Sequence, residues 1–332
     1  MRNHVKVGWF NGLYIQTGET RLVVDPTTSR PPRDSVVLIS HAHADHTQGF
    51  NSPNLKISTA ETRGIFEALT GRTVGNFREI RLNSSLRIGD LEVEALNSGH
   101  MIGAAQFRII TPEAIILYTG DINYVDSLIV RAAEPRRCDI LVMEATYGSP
   151  LYGFPSRSSI YTSIVKWTLE EIRKGKIPCF RVYAAGKAQE IVKLFNEYTK
   201  IPVVTDTRIH AVNEACNDNK LKLSWEASEY APYKEEGPFL YVTSRRRQYG
   251  GRFSEARATG WALRMRNSKV AGFPLSGHAD FNQLNRYVKD VGAKEVYIFT
   301  GFAEEFSEHI RRNGLEAKPI PWISQRDLWE YT

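Results

Sequence analysis

Three cysteines in 332 residues, Cys138, Cys179 and Cys216, are too few and too scattered for a disulfide framework. With no CxxC pair, a thiolate metal site is not expected either. No apolar run approaches the ~20 residues that span a bilayer, and mean hydropathy is −0.35. The opening stretch, MRNHVKVGWFNGLYIQ, lacks the apolar core of a signal peptide. Repeats and low-complexity tracts are missing. So is a complete GxxxxGK[ST] phosphate loop, since the GK at 186–187 stands alone. These absences predict a soluble, cytoplasmic protein in a reducing compartment, with no membrane role and no implied dependence on ATP.

What is present begins with charge. The net charge is +6 and the isoelectric point lies near 9.1, a balance that favours polyanionic partners. The excess is concentrated. Between Ser244 and Lys269 stand Arg245, Arg246, Arg247, Arg252, Arg257, Arg264, Arg266 and Lys269, opposed only by Glu255. Tyr249, Phe253 and Trp261 lie among them. Cations interleaved with aromatics suit a surface that follows a nucleic-acid backbone.

The hydrophobic share, 42%, can fill one large core or two modest ones. Up to about residue 145, short β-branched or apolar runs predict strands at 22–25, 36–40, 92–96, 106–110, 114–118 and 139–144, with a helix at 59–71. Many of these strands end on polar residues: Asp25, His41, Ser98 to His100, Asp121, Glu144. After about 147 the pattern becomes helix (158–175), strand (179–184), helix (186–198) and strands at 202–206 and 239–243, as in a small parallel α/β module. From Ala271 the first style returns. The middle is therefore expected to be an insert: residues 1–146 and 266–332 form one domain and 147–265 a second.

The densest chemistry is HAHADH, residues 41–46. His41, His43, Asp45 and His46 leave the end of an apolar strand together. Such groups are costly to desolvate unless a cation shares them. Imidazole with carboxylate suits Zn²⁺, and also Fe²⁺ or Mn²⁺. His100 in NSGHMIGAAQ and Asp121 in LYTGDIN follow other strands and can complete the set, and a carboxylate can bridge two cations.

These motifs resemble the metallo-β-lactamase fold, which implies an αββα sandwich. By that resemblance His41, His43 and His100 hold one zinc, Asp45 and His46 hold the second, and Asp121 bridges. Asp25 in VVDP resembles the Asp that orients ligands from behind. Glu144 in VMEATYG and His278 in PLSGHADF resemble the acidic and histidine motifs of the β-CASP nucleases. Their next motif supplies a His to the second metal, but here Thr300 precedes Gly301 at that place. This departure resembles the Artemis-type DNA nucleases and implies a weaker second site; Mn²⁺ or Mg²⁺ are alternative cofactors. EATYGSPLYGFP, GKAQEIVKLF, ATGWALRMRN and SGHADF are similar to segments of the ligase-associated DNA exonucleases, where the insert is a β-CASP cap walling the nucleic-acid channel.

The implied function is a metal-dependent DNA exonuclease, acting 5′ to 3′ on single strands, leaving 5′-phosphates and serving DNA repair. A ligase or helicase would then be a natural partner. Asp45 and Asp121 would act at the metals, His278 would protonate the departing oxygen, and Glu144 would hold His278. Ser276 and Gly277 would grip a terminal phosphate, and Arg245, Arg246, Arg247, Arg252 and Arg264 would track the backbone. The competing readings are an RNA nuclease of the RNase J or 3′-end-processing kind, a small-molecule hydrolase, and an inactive nucleic-acid-binding protein.

Overall fold

The computed structural model describes residues 5–218, 221–227, 237–246, 250–265 and 270–324. Six strands make the first sheet: β1 (Lys6–Trp9), β2 (Leu13–Thr17), β3 (Thr20–Val24), β4 (Ser35–Leu38), β5 (Lys56–Ser58) and β6 (Phe77–Glu79), paired in that order. Its antiparallel meander turns parallel from β3 onward. Helix α1 (Ala60–Thr70) lies between β5 and β6. The Thr59 hydroxyl caps it by accepting from the Thr62 N–H, and Gly71 ends it in the left-handed conformation.

The second sheet holds β7 (Ser84–Ile88), β8 (Leu91–Asn97), β9 (Ala105–Ile110), β10 (Ile115–Tyr118) and β11 (Ile140–Ala145). A core of Leu13, Ile15, Leu22, Val24 and Leu38 from the first sheet and Val93, Phe107, Ile109 and Ile116 from the second is sealed between the two. The alternation of these residues along each strand puts every second side chain into that core.

Helix α2 (Arg157–Arg173) opens a third sheet: β12 (Ile177–Arg181), α3 (Lys187–Tyr198), β13 (Val203–Thr205), α4 (Thr207–Asp218), β14 (Glu226–Ala227), β15 (Leu240–Thr243), β16 (Phe253–Ala258) and β17 (Ala271–Phe273). All its described pairings are parallel, as the strand–helix alternation predicts. Ile160, Ile164, Ile191, Phe195, Phe180 and Val242 fill its core. A smaller apolar seam, Ala42, Ile65, Met101, Ala185, Val212 and Cys216, joins it to α1 and to the loop after β4.

The chain then returns to the second sheet. Helix α5 (Phe281–Val291), β18 (Glu295–Gly301), α6 (Ala303–Arg312) and β19 (Glu316–Pro319) follow, with β18 beside β11 and β19 at the edge. Leu284, Tyr287, Val291, Phe306 and Ile310 of α5 and α6 pack on the outer face of β11 and β18, while Phe66 of α1 packs against Val37 and Ile39 outside the first sheet. The layers are therefore helix, sheet, sheet, helix: the αββα sandwich. Among the described residues no helix is long and apolar enough to cross a membrane. The three cysteines are buried free thiols.

Candidate metal centre

The site forms where β3, β4, β10, β11 and β18 end at one rim of the sandwich. Asp25, one residue past β3, has a left-handed backbone, φ +47°, a strained state for a non-glycine residue. Four hydrogen bonds hold it there. Its carboxylate accepts from the Ser40 N–H (2.7 Å), the Ser40 hydroxyl (2.5 Å), His46 Nδ1 (2.8 Å) and the Tyr118 hydroxyl (3.0 Å). Burial opposes its charge, but His46 and His41 outweigh that and lower its pKa.

The imidazole tautomers follow from the acceptors behind them. His100 Nδ1 lies 2.7 Å from the Gly277 carbonyl, and His43 Nε2 lies 3.3 Å from that of Ala185. Carbonyls only accept, so both nitrogens carry the proton. The Ser40 hydroxyl gives its hydrogen to Asp25 and so accepts from His41 Nδ1 at 2.9 Å. Each opposite nitrogen is left with a lone pair. Those lone pairs face one another: His43 Nδ1 is 3.2 Å from His41 Nε2 and 3.0 Å from His100 Nε2. Asp121 Oδ2 closes the group at 3.3 Å from His41 Nε2 and 3.5 Å from His100 Nε2. Desolvation holds His43 and His100 well below the ordinary histidine pKa, so protonation does not relieve the repulsion.

A cation does. Four ligand atoms about 2.0–2.1 Å from a tetrahedral ion stand about 3.3–3.4 Å apart, which the observed separations bracket. Donor chemistry and spacing thus both fit a zinc-type ion held by His41, His43, His100 and Asp121.

A second group adjoins it. His46 Nε2 lies 3.6 Å from Asp121 Oδ1 and 3.7 Å from Asp45 Oδ2. Burial disfavours the His46 cation, but Asp121, Asp25 and Asp45 prevail and push its pKa to about 10. Asp45 itself is 81% exposed and belongs to none of the compact ligand groups. Behind Asp121, His278 Nδ1 donates to Glu144 Oε1 at 2.8 Å, and His278 Nε2 is 3.9 Å from Asp121 Oδ2. Glu144 is fully buried and also accepts from the Ile122 and Thr146 N–H groups. Burial works against the imidazolium of His278; Glu144 and Asp121 outweigh it, and its pKa is raised.

A cleft of about 480 Å³ opens over these groups, lined by His43, Asp45, His46, Asp121, His278 and Thr300 among others. Thr300 pairs with Glu144 across β18 and β11, after a bulge at Met143 and Glu144. The Ser276 hydroxyl is engaged in its own turn, accepting from the His278 N–H at 2.9 Å and donating to the His278 carbonyl at 3.0 Å. Gly277 presses its carbonyl against His100, and a Cβ there would sit 3.2 Å from His100 Nδ1. Arg246, Arg252 and Arg264 are exposed, and Arg245 donates to Thr207 Oγ1 at 3.1 Å. None of these four lines the cleft; Arg247, with Tyr249, Arg266 and Lys269, lies outside the described residues. Sequence reasoning passed over Ser40, Tyr118, Tyr183 and Lys187. The last three line the cleft, and a lone GK at a helix start was the only local sign of Lys187.

Residues 10–162 match the family described as "Beta-lactamase superfamily domain". The chain is 29% identical over 316 residues to a probable DNA ligase of Opitutus terrae, matching 88% of this chain and 29% of that protein. It is 28% identical to an RNase J-like protein of Methanocaldococcus jannaschii, over 59% of this chain and 55% of that one. It is 32% identical to cleavage and polyadenylation specificity factor subunit 3 of Dictyostelium discoideum, over 52% and 26% respectively. The chain thus spans between about a quarter and little more than half of these relatives. A solved structure from Enterococcus faecalis, a protein of unknown function, superposes with a TM-score of 0.68 over 95% of this chain and 97% of its own, at 14% identity, which establishes the fold. Residues 10–162 thus match a β-lactamase superfamily domain on the metallo-β-lactamase fold, and the relatives of the chain lie in the β-CASP nuclease group.

Proposed function

We propose that this protein is a metal-dependent exonuclease that hydrolyses phosphodiester bonds of single-stranded DNA from the 5′ end. The observation that carries the hydrolytic reading is the convergence of three imidazole lone pairs and one carboxylate oxygen at tetrahedral spacing, beneath a cleft lined by His278, whose ring the buried Glu144 holds from behind. Nucleic acid as substrate is supported by the nuclease homologues and by the basic segment after Ser244. DNA is favoured by the likeness to the ligase-named relative along most of the chain and by Thr300 at the place of a further His. Residues 147–265, with β17 at the edge of their sheet, then act as the cap that walls the cleft, and a ligase or helicase is the natural partner in repair.

His41, His43, His100 and Asp121, and at a second position His46 with Asp45, would hold the cations, whose chemistry would be to neutralise phosphate oxygens and to acidify a water near neutral pH. The chain's own groups do the rest. Asp25 and Ser40 fix the rings of His46 and His41. The Gly277 and Ala185 carbonyls keep the coordinating nitrogens of His100 and His43 unprotonated. Asp121 orients the attacking water by accepting its hydrogen bond. His278, charged through Glu144 and Asp121, delivers a proton from Nε2 to the departing 3′ oxygen, and Glu144 stabilises the ring before transfer. The product carries a 5′-phosphate.

Incubating end-labelled single-stranded DNA, double-stranded DNA and RNA with Zn²⁺, Mn²⁺ or Mg²⁺ tests this. The expected result is progressive release of 5′-phosphorylated nucleotides from single-stranded DNA, abolished by chelator. The RNase-named relatives favour a second reading, an RNA nuclease, and clear preference for the RNA strand would select it.

A further inference from the structure

Among the described residues Lys187 is a cation without a counter-ion. It opens α3, directly after Gly186 at φ +88°, and its side chain lines the cleft with His43, Asp121, His278 and Tyr183. It is half-buried, and desolvation, which Glu190 offsets only partly, pulls its pKa down to about 8. Glu190, one turn on, is already committed. Arg157 grips both its oxygens at 2.7 and 2.9 Å, and the Tyr161 hydroxyl donates to it as well. Asp121 faces the imidazoles. Among the described residues the Lys187 ammonium makes no ion pair and no hydrogen bond. A desolvated, unpaired ammonium is costly, and the positive end of the twelve-residue α3 adds to the local field. The arrangement is offset when an anion enters the cleft.

We propose that Lys187 binds a non-bridging oxygen of the phosphodiester seated over the His43–Asp121 cluster, in the cleft it lines together with His278. The inference rests on the nuclease reading and assigns it a phosphate contact on the third-sheet side. It places the GK pair in the substrate site without any nucleotide loop. A phosphate held between the ammonium and the ligand cluster is fixed against rotation, so the 3′ oxygen points toward His278. Tyr183, 71% exposed, lines the same cleft.

The test compares wild type with Lys187→Gln and Lys187→Arg on a 5′-phosphorylated single-stranded DNA oligonucleotide over a series of NaCl concentrations. Lys187→Gln is expected to lower kcat/KM by about ten- to a hundred-fold, the effect of losing one charge-assisted hydrogen bond. Lys187→Arg is expected to recover most of it. The slope of log kcat/KM against log salt should become shallower by about 0.7 in the Gln variant, as for one lost phosphate contact on a single strand. Bound metal should match wild type, and the melting temperature of the Gln variant should not fall below it, since the substitution removes an unpaired, desolvated charge. If wild type cleaves and Lys187→Gln does so within about twofold, with the same salt slope, Lys187 does not touch phosphate although the nuclease reading stands. Loss of metal or of folded protein in the Gln variant overturns the inference in favour of a structural role. A wild type that cleaves no nucleic acid removes the reading and this inference together.

Discussion

At the residue scale the site is an exercise in fixing tautomers. A histidine ligand must present a lone pair, and each ring here is forced to do so by an acceptor behind it: Ser40 for His41, the Ala185 carbonyl for His43, the Gly277 carbonyl for His100. His278 Nδ1 faces a carboxylate instead, which favours the charged ring and leaves a proton on Nε2. The two kinds of environment predict two kinds of variant. Asp121→Ala or His41→Ala should abolish cleavage and lower the metal content, while retention of DNA on a gel-shift assay stays largely intact. His278→Ala should slow turnover by about 10²- to 10⁴-fold and keep its metal by elemental analysis; metal loss there would reassign His278 as a ligand. The residues of the candidate cluster were legible in sequence because HxHxDH is compact and its partners sit at strand ends. Ser40 and Tyr118 were not, because a serine beside a motif and a tyrosine closing a strand carry no pattern of their own. The Gly277 carbonyl was illegible for a deeper reason. Any residue has a carbonyl, and only the approach of the 276–278 turn to His100 gives this one a task.

Elements carry the site by where they end. β3, β4, β10, β11 and β18 converge at one rim, and parallel pairing of β3 with β4 and of β11 with β18 brings their ends together. Most of these strands were readable as β-branched runs. Helix α4 was not, since Ile209, Val212 and Cys216 are thinly spread among polar residues and Asn213 is itself buried, its Oδ1 accepting from Gln189. The link that positions the third sheet's helices against the site is Arg157 of α2. Its side chain is 13% exposed, bonded to the 4%-exposed Glu190 of α3, and it donates from Nη2 to the Ser276 carbonyl at 3.0 Å. Removing one member strands the other charge in the interior, which costs about 3–5 kcal/mol. Arg157→Met should therefore lower the urea midpoint sharply. Replacing Glu190 by Leu in the same chain should regain more than half of the loss, because the stranded charge is then gone; additive losses in the double variant would show that the pair is not coupled.

The whole molecule is two sheets and a third, meeting at a cluster that is self-repulsive without an ion. Three lone pairs and a carboxylate oxygen stand within 4.8 Å of one another, nearly all of them buried. The apoprotein can relieve this only by opening the rim, by breaking the bonds to Gly277 and Ala185 so that a ring changes tautomer, or by charging an imidazole in a site that desolvates it. All three weaken the native state, and none is needed when a cation is held. Metal binding is accordingly folding free energy. An ion at a hundred times its dissociation constant contributes about 2.7 kcal/mol to the native state, and each kcal/mol is worth about 2–4 °C in a chain approaching this size. Chelation should then lower the melting temperature by about 5–10 °C, and adding Zn²⁺ back should restore it. The same treatment of Asp121→Ala should move its melting temperature far less, since that variant has lost both the carboxylate that crowds the lone pairs and the ligand that rewards the ion. Equal shifts in the two proteins would place the stabilising cation somewhere other than this cluster.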